Sequence, residues 1–202
     1  SLHSDYREMH FSEDIEKKIK SVLSQLDSAL NLSTANMVHH IDGIILKHPN
    51  LGTRIIEFDE EQHFTPARLI TLEALSKDEF DQMIPFYELI CRNPGYFYSQ
   101  VLPKHRIKQA QSDSVPDWDI FKQYITDNDN SNNGYIKPKP GFPYPGGRIA
   151  QRAYYDLLRD LAHQSIHNQG KLLPIIRVPK FILEKINEKS FQSQSIKEIQ
   201  SA

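Results

Sequence analysis

Cysteine is nearly absent: Cys91 is the only one in 202 residues. A single thiol closes no internal disulfide, and there is neither a CxxC pair nor a Cys/His set with zinc spacing, so nothing points to a stapled or zinc-held scaffold. Cys91 reads instead as a small buried hydrophobe in a chain suited to a reducing, cytoplasmic setting. Long apolar runs are also missing. No segment approaches the roughly 18 consecutive apolar residues that suggest a bilayer span, and the N-terminus lacks a basic stretch followed by a hydrophobic one, so the expectation is a soluble protein with no membrane partner. Glycine is sparse, with 8 residues, and none of GxSxG, the P-loop or GxGxxG occurs. Nucleophile-elbow hydrolases and the common nucleotide folds therefore have no foothold.

Charge of one sign is lacking too. The net charge of −2 argues against a protein that coats nucleic acid over a broad basic surface, although a local basic groove stays open. Lys104, Arg106 and Lys108 form one cluster, Lys137 and Lys139 a second, and Arg148, Arg152 and Arg159 lie along one predicted helix. Any one of these clusters is also what an ordinary solvated surface carries.

What is present in concentrated form is acid on β-patterned sequence. Ile41-Asp42-Gly43-Ile44-Ile45-Leu46 and Arg54-Ile55-Ile56-Glu57-Phe58-Asp59 flank His48-Pro49-Asn50-Leu51-Gly52, which reads as a hairpin turn. The two-residue period of a strand puts Glu57 and Asp59 on one face and Phe58 on the other, with Asp42 on the partner strand. Strands disfavour Asp and Glu, so two on one face is unusual. Three carboxylates converging at a sheet end repel at a cost of several kcal/mol unless a cation joins them, and a hard divalent ion such as Mg²⁺ is the natural guest, with Mn²⁺ a second. Gln62 and His63 follow directly, and a histidine there can work near neutral pH as acid or base.

Elsewhere, Ser12 can cap a helix carrying the stripe Ile15, Ile19, Val22, Leu23, Leu26 and Leu30, with Glu16 in its first turn. Pro66 opens a segment through Leu75, and a further helix is predicted from Ser76 to Arg92 with Pro85 as a kink. From Asn93 to Gly147 breakers and extended stretches dominate, with only Asp117 to Thr126 helical in pattern. Periodicity returns from Arg148 to His167; Gly170 ends that helix, residues 172–178 read as a buried strand, and Pro179 starts a last helix through Lys189. Gly146-Gly147 could offer a phosphate the amides at the start of the Arg148 helix. His163 and His167 have the i, i+4 spacing of a metal pair but no nearby acid, so exposed helix polars are expected. The order helix, hairpin, helices, helix, strand, helix specifies an α/β sandwich with a mixed sheet.

This order of acids on elements resembles the PD-(D/E)XK nuclease superfamily, most nearly its very-short-patch-repair-like endonuclease branch. Asp42 takes the place of the first strand acid, Glu57 and Asp59 that of Glu-x-Asp, Gln62-His63 that of a Gln-His pair, Glu16 that of a first-helix acid, and Asp156 and Arg159 that of a helical Asp-x-x-Arg. The resemblance covers residues 12–63 and 148–183, leaves 64–147 as an insertion within a single domain of residues 1–190, and treats 191–202 as a tail. It implies a restriction-endonuclease-like sandwich and a Mg²⁺-dependent endonuclease acting on DNA, with Asp42, Glu57, Asp59 and Glu16 as metal ligands and Lys104, Arg106, Lys137, Lys139, Arg148, Arg152 and Arg159 toward the nucleic acid. A homodimer is compatible with it. The second-strand lysine of the superfamily is missing, because Asp59 stands there, so its ammonium must come from elsewhere or be dispensed with, His63, Gln62 and Lys47 being the candidate substitutes. That gap and the slight negative charge motivate one rival, an inactive nucleic-acid-binding or structural protein on the same fold; a third reading is a metal-dependent hydrolase of a small phosphorylated substrate, which predicts a closed pocket.

Overall fold

The computed structural model describes residues 8–30, 36–37, 40–75, 83–128, 134 and 136–185. A short antiparallel pair, β1 (Glu8–Met9) and β2 (Asn36–Met37), brackets the first helix, α1 (Glu13–Gln25). Ser12 stands at the N-cap of α1 through its backbone, its carbonyl accepting from Glu16 N at 2.9 Å, and Ile19, Val22 and Leu23 bury the apolar stripe. The hairpin forms as the sequence specifies: β3 (Gly43–His48) runs antiparallel to β4 (Gly52–Asp59), with Ile44 opposite Ile55. His48 Nδ1 closes the turn by accepting from the amides of Asn50 and Leu51, each at 3.2 Å.

Helices α2 (Pro66–Glu73), α3 (Met83–Cys91) and α4 (Trp118–Asp127) follow, with short helical turns over 94–104 between the last two. Thr65 caps α2, its hydroxyl accepting from Arg68 N at 3.2 Å with Pro66 in the first turn, and Asp117 caps α4 by accepting from Ile120 N at 2.9 Å. Pro85 lies within α3, whereas 76–82 fall outside the described residues. Helix α5 (Gly147–Asp160) is shorter than its periodicity suggests, giving way to a 3₁₀ turn at Ala162–Gln164. The last strand, β5 (Ile176–Pro179), covers only the end of the apolar run 172–178: Leu172 N bonds back to the Asn168 carbonyl at 3.0 Å and Leu173 N to that of Thr53 at 2.9 Å. The chain is helical again over 180–185, and the expected extension to Lys189, like the tail, lies outside the described residues.

β4 is the centre of a three-stranded mixed sheet, antiparallel to β3 and parallel to β5, with Asp59 beside Pro179, and helices flank it. Residues of the expected insertion are not peripheral to this body. Phe64, Leu72, Tyr87, Phe97, Phe121 and Phe142 share one hydrophobic core with Ile19, Ile55, Ile149 and Leu157.

Candidate functional site

Between the inner face of β4 and β5 and the facing side of α5 the chain places charge instead of hydrocarbon. Asp59 is 1% exposed, Asp156 0% and Arg177 2%. Burying such groups costs several kcal/mol per ion unless each finds partners, and here each does. Arg177 Nη1 donates to both oxygens of Asp59 at 2.8 and 2.9 Å, its Nε donates to Asp160 Oδ1 at 2.6 Å, and Nη2 donates to the Asp156 carbonyl at 3.2 Å. Tyr87 adds its hydroxyl to Asp59 Oδ2 at 2.7 Å, and Arg68 pairs with Asp160 at 2.7 Å. Burial works to raise the pKa of Asp59 and Asp156, but Arg177 and His63 outweigh it and hold both carboxyls below the usual range.

His63 joins this layer to the outside. Its Nδ1 lies 2.8 Å from Asp156 Oδ2 and 3.4 Å from Asp59 Oδ1. Ionised carboxylates only accept, so Nδ1 carries the proton in this contact. Asp59, His63 and Asp156 offer ligand atoms within 4.8 Å of one another, so this cluster could hold a metal ion. To do so, His63 would give up that proton and Asp59 part of its bonding to Arg177.

In front of the charged layer opens a cleft of about 910 Å³. Asp42 and Glu57 meet in it by exchanging backbone contacts: Asp42 N donates to Glu57 Oε1 at 3.1 Å and Asp42 Oδ2 accepts from Phe58 N at 2.8 Å. Glu57 is 4% exposed, and burial pushes its pKa up to about 7 even though Arg159, at 3.3 Å from Oε2, and Arg177 oppose the rise. The positive charge nearby thus falls short of fully offsetting the burial of this carboxylate. Glu60, Gln62 and His63 line the cleft next to them, with Gln62 Nε2 donating to Glu60 Oε2 at 2.6 Å.

The opposite wall is basic. Arg148, Arg152 and Arg159 project from one side of α5, and Lys180, one residue past β5, joins them. Arg159 is braced by Asp156 Oδ1 at 2.9 Å and by the His40 carbonyl at 3.1 Å.

The structure therefore divides the residues singled out from sequence. Asp42, Glu57, Gln62, His63, Arg148, Arg152 and Arg159 come together around the cleft. Asp59 shares the inner face with Glu57, as strand period two requires, but is locked to Arg177 behind the cleft wall. Glu16 pairs with Lys20 at 3.9 Å and Lys104 with Glu61 at 3.4 Å, and neither lines the cleft. Arg106, Lys137, Lys139 and Lys47 do not line it either. The amides of Gly147 and Arg148 donate to the carbonyls of Tyr144 (2.9 Å) and Lys137 (3.0 Å), so that helix start is not a phosphate cradle. Of the two spaced histidines, His163 Nδ1 contacts the Asp160 carbonyl at 3.0 Å and the His167 ring stands edge-on to His10.

Several contributors, Arg177 and Asp160 among them, carried no sequence signal strong enough to find them. Arg68 and Tyr87 sit within apolar helical patterns, and Lys180 reaches the cleft only because β5 pairs in parallel with β4 and brings Pro179 beside Asp59. Asp156 and Arg159, expected only from the family resemblance, both reach the strands from α5. Among the described residues no helix is long and apolar enough to cross a membrane. No protein-family model, curated protein or solved structure matches this chain.

Proposed function

We propose that the protein is a divalent-metal-dependent phosphodiesterase of the restriction-endonuclease-like type, hydrolysing nucleic acid, with DNA as the expected substrate. The observation that carries this reading is the pairing of two adjacent acids, the exposed Asp42 and the buried Glu57, with a basic set, Arg148, Arg152, Arg159 and Lys180, around one open cleft. A phosphodiester strand needs cations along its backbone and, at the bond to be broken, a metal held by carboxylates. Mg²⁺ usually takes one or two carboxylates, several waters and a substrate phosphate oxygen, and Asp42 and Glu57 can supply the carboxylates of that set. The raised pKa of Glu57 fits such a guest, since an added cation would stabilise the ionised form. Bound there, the metal would polarise the scissile phosphoryl group and lower the pKa of a coordinated water.

The chain's own residues do the remaining work. Arg148 and Arg152 hold flanking phosphates, and Arg159 positions the Glu57 carboxylate. His63, anchored through Nδ1 on Asp156, presents Nε2 as the nitrogen that can take a proton at the cleft. The Asp59, His63 and Asp156 group, containing an imidazole donor, would suit Mn²⁺ better than Mg²⁺ as an alternative position for an ion, one that replaces the His63–Asp156 hydrogen bond.

The test is cleavage of plasmid and oligonucleotide substrates in Mg²⁺, Mn²⁺ or EDTA. Asp42→Asn and Glu57→Gln should each abolish metal-dependent cleavage with the fold retained. Full cleavage by either variant rejects the assignment. One observation favours a second reading, a non-catalytic nucleic-acid-binding protein: guanidinium groups already pair with Glu57 and Asp59, at 3.3 and 2.8 Å. Calorimetric titration of Mg²⁺ and Mn²⁺ separates the two, because that reading predicts no binding and no cleavage by the wild type.

A further inference from the structure

The side of α5 that lines the cleft is not uniformly basic. Arg148, Arg152, Tyr155 and Arg159 follow one another at intervals of four, three and four residues, which keeps them on one stripe about 16 Å long. Arg152 has a buried Nη1 with no hydrogen-bond partner among the described residues, while the side chain itself is part of the cleft lining. Its charge has lost water on one side without gaining an acceptor, and burial lowers its pKa. An anion in the cleft would offset the charge of this guanidinium, although Nη1 itself is closed to solvent. Tyr155, half-buried and one turn further along, adds an aromatic ring between two arginines.

Resting on the reading of this cleft as a nucleic-acid site, we propose that it takes an unpaired strand, with a phosphate on Arg152 and a base stacked on Tyr155. Stacking needs an exposed base face, and a duplex offers only base edges in its grooves while its faces are covered by their neighbours. The cleft, at about 910 Å³, has the size of a pocket for a few nucleotide units. Glu57, 4% exposed, lines it beside the exposed Asp42, so the scissile phosphate must enter to reach the Glu57 carboxylate. An unpaired, single-stranded or locally opened segment can do that.

Fluorescence anisotropy of labelled oligonucleotides in EDTA tests this without cleavage. The single strand should bind roughly tenfold tighter than the duplex of the same sequence. Tyr155→Leu should lose about that factor on the single strand alone, Tyr155→Phe should keep the affinity, and Arg152→Gln should weaken the single strand. With the wild-type protein, a strand carrying abasic sites but all its phosphates should bind as weakly as the normal strand binds Tyr155→Leu, a comparison that holds even if a variant folds poorly. Equal or tighter duplex binding, or undiminished binding of the abasic strand, overturns the proposal. Metal-dependent cleavage together with duplex preference would leave the nuclease reading standing and remove only this inference. Single-strand preference without cleavage would do the reverse.

Discussion

At the scale of single residues, two acids two positions apart on one strand have opposite fates. Asp59 is held ionised by Arg177, whereas Glu57, facing the cleft, has its pKa pushed up by burial to about 7. For Glu57 the folded value lies above the ordinary one of 4.5, so the folded state binds more protons than the unfolded chain between those pH values. Its contribution is therefore most favourable below pH 4.5 and is lost as pH rises to 7, by on the order of 3 kcal/mol. Glu57→Gln keeps an acceptor for Asp42 N and removes the titration. Denaturation midpoints across that window should fall for the wild type relative to the variant and stay lower above pH 7. Parallel curves for the two proteins would show that Glu57 is not the titrating group. Saturating Mg²⁺ should recover the difference above pH 7 in the wild type alone if the metal binds Glu57.

At the scale of elements, Arg177 is the clasp that joins β5 to β4 and to α5 by bonding Asp59, Asp156 and Asp160. Arg177→Met leaves three buried carboxylates short of a partner and should cost about 3–5 kcal/mol in urea unfolding. Arg177→Lys should recover only part of it, since an ammonium cannot reproduce the guanidinium fork. A loss under 1 kcal/mol for Arg177→Met would mean that the charged layer is not what ties these elements together. The start of α5 makes a second prediction. Gly146 has φ of 90°, and a Cβ on Gly147 would lie 2.1 Å from the Phe142 carbonyl oxygen. Gly147→Ala must therefore push the 137–145 loop off the helix start and should destabilise by about 1–3 kcal/mol, while also shifting Arg148, the first arginine of the cleft wall. Wild-type stability in that variant would contradict the close approach.

At the scale of the whole molecule, a net charge of −2 coexists with a basic wall because the cations that matter are collected in one cleft. Binding to nucleic acid should accordingly have a modest salt dependence, set by a few phosphate contacts. Arg148→Ala and Arg152→Ala should each flatten the log–log slope by about 0.7–0.9, and Lys104→Ala or Lys137→Ala should leave it unchanged. If the last two flatten it as well, the strand follows a different path over the surface.

How much of this was legible depends on the range over which each physical cause acts. Period-two alternation, a Pro/Asn/Gly turn and helix-start residues are local, and they specified the hairpin, the shared face of Glu57 and Asp59, and the helices that follow Ser12 and begin at Pro66. The helical stripe likewise put Arg148, Arg152 and Arg159 on one side of α5. What local pattern could not decide was which acids would face a cleft and which would face an arginine. Glu57 and Asp59 are equivalent in the sequence and part company because β5 docks in parallel with Arg177 beside Glu57, from where its guanidinium reaches Asp59, and with Lys180 toward the cleft. The sequence by itself determined the mixed α/β elements and the chemistry they carry. Only the tertiary structure, through the pairing of strands more than a hundred residues apart, decided which charges cancel inside the protein and which remain for a ligand.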